Sequence, residues 1–473
     1  MAVAAALILF RSFVYLAYEQ SFFDSDQAII GLMAKHLAEG RAFPLFYYGQ
    51  TYMLGVDAWV AAPIFLIAGP TVATLHTATL LLNIAAALAM LMVLAPAGGI
   101  RPLVALIPVS FFALAPAELG QSLIEAGANI GPLLYVPLLW LLRTRPLWFG
   151  LVLGVGVLNR EFTIYAVPVL LAGDVWIRSL WKPARVRHWL LVAVATLATW
   201  QAIQGLKPFS DMMGPGTRGA LVSGEAGSQI ENVADRVAIQ PSEFPGRVRA
   251  MLTSHLPRLF GAWPSDVMPA PVGHAWLLWP MAVALLVLLL RSMWLTLGNG
   301  DTRRSAAGWY LAGVGALAVA GYVATRPADG MVTRYLLLAI FVPVGILAAH
   351  VLVETRRSWL WLAAGLAVTC ALTSAVDATR LIRHFASGRD ANETRTLVDG
   401  LELRGVGVAE SNYWRAYKVS FLSREHVKVA STDFVRVDEY QRLARAAGSA
   451  LISIRDEPCR GGEQVSLWFL CPP

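Results

Sequence analysis

The sequence predicts a polytopic α-helical membrane protein of about eleven spans, followed by a small α/β domain at the C-terminus. Of the 473 residues, 57% are hydrophobic and only 15% are charged, whereas a soluble domain carries about 25% charged residues. The mean hydropathy of +0.57 agrees with a membrane protein. After residue 376 the composition changes, and strand-like and helix-like segments alternate, which is typical of a parallel sheet.

The first apolar stretch, residues 2–18, is interpreted as a span, because it lacks the basic start and the small-residue cleavage site of a signal peptide. Arg11 near its middle should face protein or water, since a charge is costly in lipid. Residues 55–68 are also apolar, but an internal proline and the Gly69-Pro70 stop favour a half-buried or re-entrant helix. The other predicted spans are 71–95, 102–117, 130–142, 146–158, 162–178, 189–206, 275–292, 306–323, 335–353 and 358–376.

Basic residues are concentrated in alternate loops, which the positive-inside rule places in the cytoplasm. The N-terminus is then cytoplasmic. The first loop (19–69), the large loop (207–274) and the C-terminal domain lie on the extracytoplasmic side of the inner or plasma membrane. The net charge of +7 reflects these loops and is not a signal for nucleic-acid binding. The basic loop residues are Arg101; Arg143 and Arg145; Arg178, Lys182, Arg185 and Arg187; Arg291, Arg303 and Arg304; and Arg356 and Arg357.

We therefore divide the chain into a membrane domain, residues 1–376, and a soluble α/β domain, residues 377–473. In an oxidising compartment Cys459 and Cys471 could form a disulfide that closes the end of this domain, and two unpaired thiols are the alternative. The predicted elements of the domain are strands at 405–409, 426–430 and 450–454 and helices at 413–422 and 439–447.

The first loop carries two carboxylates, Asp24 and Asp26, just beyond the end of the first span. From Ser25 to Glu39 the apolar residues recur at helical spacing, which predicts a helix lying along the membrane surface with its apolar face down. Asp24 or Ser25 would be its N-cap. The structural alternative is that the pair serves only as a helix cap. A cap needs only one acid, however, so Asp26 would remain as an excess carboxylate.

Two further motifs follow the acid pair in a fixed order. The first loop continues as Pro44-Leu45-Phe46-Tyr47-Tyr48-Gly49-Gln50-Thr51-Tyr52, and a late span begins Thr333-Arg334-Tyr335-Leu336-Leu337-Leu338. Together with the spans, this order resembles the GT-C glycosyltransferases, in the bacterial branch related to the dolichyl-phosphate-mannose–protein mannosyltransferases and the aminoarabinose transferases. The resemblance covers residues 1–376, and it departs from the family pattern at Leu338, where a proline is expected.

The resemblance implies an inverting transfer of a sugar from a polyprenyl-phosphate donor to a glycan, lipid or protein acceptor on the outer face of the membrane. Asp24 would be the general base that accepts the proton of the acceptor hydroxyl. Asp26 would orient the acceptor or help to bind a divalent cation, Mg or Mn, which some of these families use and others do not.

A lipid phosphate as leaving group also requires cations, and arginine suits phosphate oxygens. Arg334, beside Tyr335, and Arg160, beside Glu161, are the candidates at the outer boundary. The structural alternatives are an interfacial arginine that reaches for water and a mutually neutralising Arg160–Glu161 pair. Glu125 and Asn129 in the second external loop could reach the same place.

Tyr47, Tyr48, Gln50 and Tyr52 could supply polar and stacking contacts to a sugar, although a belt of interfacial tyrosines would look the same. In the large loop, His255 and Arg258 could lie near the carrier's phosphate. The glycine-rich stretch 214–219 could become ordered when substrate binds. An ordinary surface loop is the alternative for both features of the large loop.

Two other classes of protein would also show many spans and buried charges. A transporter or flippase of lipid-linked sugars should show repeated hydropathy halves with broken helices, and no such repeat is found. A non-catalytic membrane subunit would bind a lipid or a partner through the C-terminal domain.

Overall fold

The structure is a computed structural model that describes residues 1–19, 22–50, 52–95, 101–211, 241–265, 268–298, 302–325, 331–388 and 392–472. Its first part is helical. The helices in chain order are α1 (Ala2–Ala17), α2 (Ser25–Ala38), α3 (Val56–Ala68), α4 (Val72–Leu94), α5 (Pro102–Ala113), α6 (Ala117–Ile124), α7 (Gly131–Leu142), α8 (Pro146–Asn159), α9 (Ala166–Trp176), α10 (Pro183–Leu206), α11 (Phe244–Ala250), α12 (Leu256–Leu259), α13 (Leu278–Gly298), α14 (Thr302–Thr325), α15 (Thr333–Leu336), α16 (Phe341–Val353) and α17 (Arg357–Ala386).

Length and apolar composition identify a multi-pass membrane protein. Over the described ranges, six segments are long and apolar enough to cross a bilayer, and the bent pair α5–α6, with an angle of 85° between its helices, would make a seventh. α1, α3, α7 and α8 are shorter apolar helices. The predicted class is confirmed, whereas the count of about eleven spans stays a prediction. The six segments are Val72–Leu94, Pro183–Phe209, Ala275–Gly298, Arg304–Thr325, Thr333–Val353 and Arg357–Ala386.

The segment Thr333–Val353, which contains α15 and α16, runs through the middle of the bundle and is almost entirely surrounded by protein. α16 crosses α14 where Gly345 meets Ala312 and Gly308 meets Ala349. A Cβ at either glycine would clash with the backbone of the other helix. Small residues at such a crossing let two helices approach closely inside a membrane. The crossing fixes the position of α15, which carries the Thr333-Arg334-Tyr335 motif.

Arg11 of α1 faces protein, as its position in an apolar helix predicts. Its side chain is buried, and the guanidinium donates to the Phe112 carbonyl oxygen and to Asn83 Oδ1, both at 2.7 Å. The ring of Phe112 lies 5.6 Å from the guanidinium carbon. Neutral acceptors on α4 and α5 therefore accommodate this charge.

The C-terminal part has the predicted parallel α/β core. Its elements are α18 (Glu393–Leu403), β1 (Val408–Ser411), α19 (Tyr413–Leu422), β2 (Lys428–Ser431), α20 (Asp438–Ala447), β3 (Ile452–Arg455), β4 (Glu463–Val465) and β5 (Trp468–Cys471). The strand order is β2-β1-β3-β5-β4, in which β1 is parallel to β2 and β3 and the last two strands are antiparallel. The sequence analysis did not predict α18 or the β4–β5 hairpin.

Two further expectations concern the limits of this domain. Cys459 and Cys471 form a disulfide with 5.9 Å between their Cα atoms, which ties β5 to the loop before β4. α17 does not end at residue 376, where the sequence analysis divided the chain, but continues to Ala386.

The structure corrects the prediction for α2. This helix was expected to lie on the membrane surface with only its apolar face covered, but Gln27 and Lys35 on its polar face are also buried. α2 lies between α3 and α19, and a Cβ at Gly31 would clash with the Phe421 ring of α19. Lys35 is covered by the C-terminal domain, through Glu425, and Gln27 is bonded to His76 of α4, which the sequence pattern of a single helix could not indicate.

One buried carboxylate holds the C-terminal domain against the first loop. Glu425 accepts hydrogen bonds from Lys35 at 2.5 Å, from Arg41 at 2.7 Å and from the Tyr440 hydroxyl at 2.8 Å, and its Oε1 lies 3.1 Å from His36 Nε2. Burial alone would raise the pKa of Glu425. The bonds from His36, Arg41 and Lys35 outweigh this effect and hold that pKa far below its ordinary value.

We expect Glu425→Gln to destabilise the docking of the C-terminal domain by about 3–5 kcal/mol, because it leaves a cluster of cations buried without its counter-charge. The measurement is thermal unfolding of the detergent-purified protein, with limited proteolysis to detect release of the domain. Glu463→Gln is the control, because it removes an exposed partner of Arg404 on the same domain and should change little. Equal melting temperatures for the two variants would contradict this role of Glu425.

Candidate active site

The two acids of the first loop have different partners. Asp24 is the N-cap of α2, and its Oδ1 accepts the backbone N–H of Gln27 at 3.0 Å. Asp26 lies in the first turn, where its Oδ2 accepts from Arg334 at 3.2 Å and its Oδ1 from the Tyr413 hydroxyl at 2.5 Å. Asp24 therefore caps α2, as the structural alternative predicts. Asp26 is the acid that contacts the late motif, through Arg334.

Two carboxyl groups near each other in this region have raised pKa values. Burial raises the pKa of Asp24, the neighbouring Asp26 adds to this, and the Gln27 N–H and Arg334 oppose it. Burial, followed by the charge of Asp24, raises the pKa of Glu125 to about 7. A carboxyl group with a raised pKa is a stronger proton acceptor once it is ionised.

Glu125 is connected to Arg160 through Asn129. The Asn129 amide donates to Glu125 Oε2 at 3.1 Å, and Arg160 donates to Asn129 Oδ1 at 3.3 Å. Asp57 fixes the loop between them by accepting two backbone N–H groups, those of Gly127 at 2.8 Å and Ala128 at 2.5 Å. The loop after α6 thus reaches the same region as the acid pair, as was predicted for Glu125 and Asn129.

Arg160 does not form the neutralising pair with Glu161 that was its structural alternative. Glu161 is exposed at the start of a 3-10 turn, and no carboxylate of the described ranges lies within salt-bridge distance of Arg160. The guanidinium lies instead 5.9 Å from the centre of the Tyr335 ring, and that of Arg334 lies 5.5 Å from the same ring. The guanidinium groups of Arg160 and Arg334 therefore both lie against the ring of Tyr335, beside the acid pair.

In the motif of residues 44–52, the tyrosine at the acid pair is Tyr47, whose hydroxyl donates to the Asp26 carbonyl oxygen at 2.9 Å. Tyr48 is buried, and its hydroxyl is hydrogen-bonded to His36 Nδ1 at 2.8 Å, within the contact with the C-terminal domain. Gln50 has a buried side-chain oxygen for which the described part of the chain offers no hydrogen-bond donor, and Tyr52 is exposed.

The described part of the large loop approaches the late motif through Glu118 of α6. Arg258 lies 3.5 Å from Glu118 Oε2, and Thr333 donates to Glu118 Oε1 at 3.4 Å. His255 is buried with its ring edge-on to Tyr322 at 5.8 Å. Burial and the nearby Arg258 lower the pKa of His255, which favours its neutral form. The glycine-rich stretch 214–219 lies outside the described residues.

The C-terminal domain contributes two residues that the sequence analysis missed, Tyr413 and Arg436. Arg436 donates to the Gly49 carbonyl oxygen at 3.1 Å, and its guanidinium lies 5.7 Å from the Tyr47 ring and 5.9 Å from the Tyr413 ring. Gly49 has a φ of +70°, and a Cβ there would strike the Arg436 side chain. One available signal was that Tyr413 follows the first strand of a parallel sheet, where such sheets place ligand contacts.

The arrangement around Asp26 does not fit a divalent cation. Both oxygens of its carboxylate are engaged, one by a guanidinium and the other by a hydroxyl donor. Within the ranges that the structure covers, no three His, Cys, Asp or Glu side chains are grouped in a way that could hold a metal ion. The metal role assigned to Asp26 stays a prediction, and no step below depends on it.

A cavity of about 700 Å³ lies elsewhere in the bundle, among α7, α9, α13 and α14. It is mostly apolar, with Arg143, Asp174 and Arg185 as its charged lining residues. The predicted site residues do not line it, so it is separate from the acid pair.

The architecture of the chain is that of a solved membrane protein, which agrees with the fold that the motifs led us to expect. Similar solved structures include two of ArnT from Cupriavidus metallidurans, in the apo state and bound to undecaprenyl phosphate. Each matches with a TM-score of 0.58 over 99% of this chain and 96% of that one, at 11% sequence identity. No protein-family model and no curated protein sequence matches the chain. At this identity the likeness is one of fold.

The raised pKa of Glu125 generates a spectroscopic prediction. In infrared spectra recorded across a pH series, a buried carboxyl group should titrate near pH 7, protonated below it and ionised above it. Glu125→Gln should remove this band. Gln121→Leu should move its midpoint to higher pH, because the Gln121 amide donates to Glu125 Oε1 at 2.9 Å and favours the ionised form. Persistence of the band in Glu125→Gln would contradict the assignment.

Proposed function

We propose that the protein is a GT-C-type glycosyltransferase of the inner or plasma membrane, which transfers a sugar from a polyprenyl-phosphate donor to an acceptor hydroxyl outside the cytoplasm. One observation carries the proposal. Asp24 and Asp26 lie beside Arg334, which shares the ring of Tyr335 with Arg160. A base and a phosphate-binding pair are the two elements that this chemistry requires. The ArnT structure bound to undecaprenyl phosphate supports a donor of this kind.

The chemical step is a single displacement at the anomeric carbon of the donor sugar. The acceptor oxygen forms the new C–O bond while its proton passes to a carboxylate. The bond between the anomeric carbon and the phosphate oxygen breaks, and the lipid phosphate leaves with the electron pair. A single displacement from the opposite face inverts the configuration at this carbon.

Asp24 is the proposed base. Its Oδ1 accepts the Gln27 N–H, and, in contrast to Asp26, no arginine or tyrosine of the described chain donates a hydrogen bond to it. Burial raises its pKa, so the ionised form is more basic than an exposed carboxylate. Asp26 is less suited to accept a proton, because Arg334 and Tyr413 both stabilise its carboxylate. We assign to Asp26 the role of orienting the acceptor and Arg334.

Arg334 and Arg160 are the proposed ligands of the lipid phosphate. Charge builds up on the phosphate oxygens as the bond breaks, and guanidinium groups stabilise such charge with paired hydrogen bonds. Arg160 is well placed to accept an anion, because it is half-buried, makes only long hydrogen bonds to neutral acceptors, and keeps Nε without a partner within the described part of the chain. Tyr335, between these arginines, is suited to contact the phosphate or the sugar.

We expect Asp24→Asn to reduce transfer from an undecaprenyl-phosphate-linked sugar by about 10²–10⁴-fold, without loss of lipid binding or stability. Asparagine caps a helix as well as aspartate does, so this change removes the base and keeps the cap. The measurement is transfer of labelled sugar by membranes that contain the full chain. The control is Asn412→Asp, which exchanges the same two residue types at the cap of α19. Normal transfer by Asp24→Asn would refute the catalytic assignment and favour a scaffold or a transporter.

For the phosphate site, we expect Arg334→Gln to weaken the binding of undecaprenyl phosphate by about tenfold or more, since a hydrogen bond to a charged group contributes about 1.5–3 kcal/mol. Binding is measured on the purified protein in nanodiscs. Arg404→Gln, which removes an exposed arginine of the C-terminal domain, is the control and should bind as the wild type does. An unchanged Kd for Arg334→Gln would remove this residue from the phosphate site.

A further inference from the structure

The C-terminal domain presents the carboxyl edge of its parallel strands to the acid pair. Tyr413 follows β1, and Asp433 and Arg436 follow β2, the neighbouring parallel strand. β1 is paired on its two sides with β2 and β3, so this edge is the point where the connections reverse direction. Open parallel sheets place their ligand contacts at such a point. Here the edge is closed by the first loop.

Tyr413 is held firmly in this position. Its backbone N–H donates to Asp433 Oδ1 at 2.6 Å, and the same oxygen accepts from the Ser431 hydroxyl at 2.9 Å. Its ring lies edge-on to those of Tyr417 at 5.5 Å and Phe434 at 6.1 Å. The ring and the backbone are therefore fixed independently of the hydroxyl group, which reaches Asp26.

The Asp26 carboxylate is shared between two parts of the chain. Tyr413 of the C-terminal domain occupies Oδ1, and Arg334 of the membrane bundle reaches only Oδ2. A guanidinium otherwise tends to bind both oxygens of a carboxylate at once through its parallel donors. With the tyrosine hydroxyl on Oδ1, the guanidinium makes a single hydrogen bond to Asp26, through Oδ2.

We propose that Tyr413 makes the C-terminal domain part of the lipid-phosphate site, as a positioning residue that keeps Arg334 from binding Asp26 through both oxygens. This inference rests on the proposed function, in which Arg334 binds the phosphate of the donor lipid. By occupying Oδ1, Tyr413 leaves Arg334 with a single bond to Asp26, and its remaining donors face the phosphate. Burial and the Asp26 carboxylate raise the pKa of Tyr413, so its hydroxyl keeps its proton and donates it to Asp26.

The test measures the Kd of undecaprenyl phosphate for the full chain in nanodiscs. Tyr413→Phe keeps the ring and removes the hydroxyl, and it should weaken binding by about tenfold because Arg334 then pairs with both oxygens of Asp26. In an Asp26→Asn background, where no carboxylate competes for Arg334, the same change should have no further effect.

Tyr440→Phe is the matched control, because it removes a hydroxyl–carboxylate bond of 2.8 Å at the same interface, away from Asp26. It should leave the Kd unchanged. Equal weakening by Tyr413→Phe in both backgrounds would overturn the proposal, since the hydroxyl would then act through docking of the domain. An unchanged Kd for Tyr413→Phe, with weakened binding in Arg334→Gln, would overturn this inference alone. No effect of Arg334→Gln would remove the phosphate assignment itself, and this inference with it.

Discussion

The buried charge of Glu425 is the interaction on which the rest of the structure depends. A carboxylate removed from water must be matched by hydrogen bonds and opposite charge, and Glu425 finds both in Lys35, His36 and Arg41 of the first loop. This requirement fixes the position of the C-terminal domain over α2. Once the domain is fixed there, α19 packs against Gly31, and the carboxyl edge of the sheet meets the acid pair. Tyr413 reaches Asp26 across the same interface, as does Arg436, which donates to the Gly49 carbonyl oxygen.

The candidate site is a composite of segments far apart in the chain. The first loop supplies the acids, the loop after α6 supplies Glu125, and α15 supplies Arg334. Arg160 is held by Asn129, which only the folded chain brings to it, whereas Glu125 accepts a hydrogen bond from Gln121, one turn earlier on the same helix. Such an arrangement is preorganised, because its dipoles are already in place before a substrate enters.

The sequence predicted those features that depend on local pattern. Hydropathy identified the membrane class, alternation identified the parallel sheet, and the order of short motifs led to Asp24, Asp26 and Arg334. It could not predict contacts that depend on how two units dock. Tyr47 and Tyr48 share one sequence motif, but the Tyr47 hydroxyl donates to the Asp26 carbonyl oxygen whereas the Tyr48 hydroxyl is bonded to His36, and their contact with a sugar stays a prediction. The polar face of α2 looked solvated because the partner that covers it lies nearly 400 residues away, as in the Lys35–Glu425 contact. Glu161 seemed the natural partner of Arg160 because adjacent charges suggest a pair, but Arg160 turns toward Asn129.

The accommodation of Arg11 has a consequence for the assembly of the protein in the membrane. A lone arginine at the centre of an apolar helix costs about 2.5–3.5 kcal/mol on insertion scales. α1 offsets this cost through Asn83 of α4 and the Phe112 carbonyl of α5, which are synthesised later. We therefore expect the final insertion of the first helix to be coupled to the arrival of these two downstream helices. Since the first loop begins where α1 ends, the acid pair takes its place only after that step.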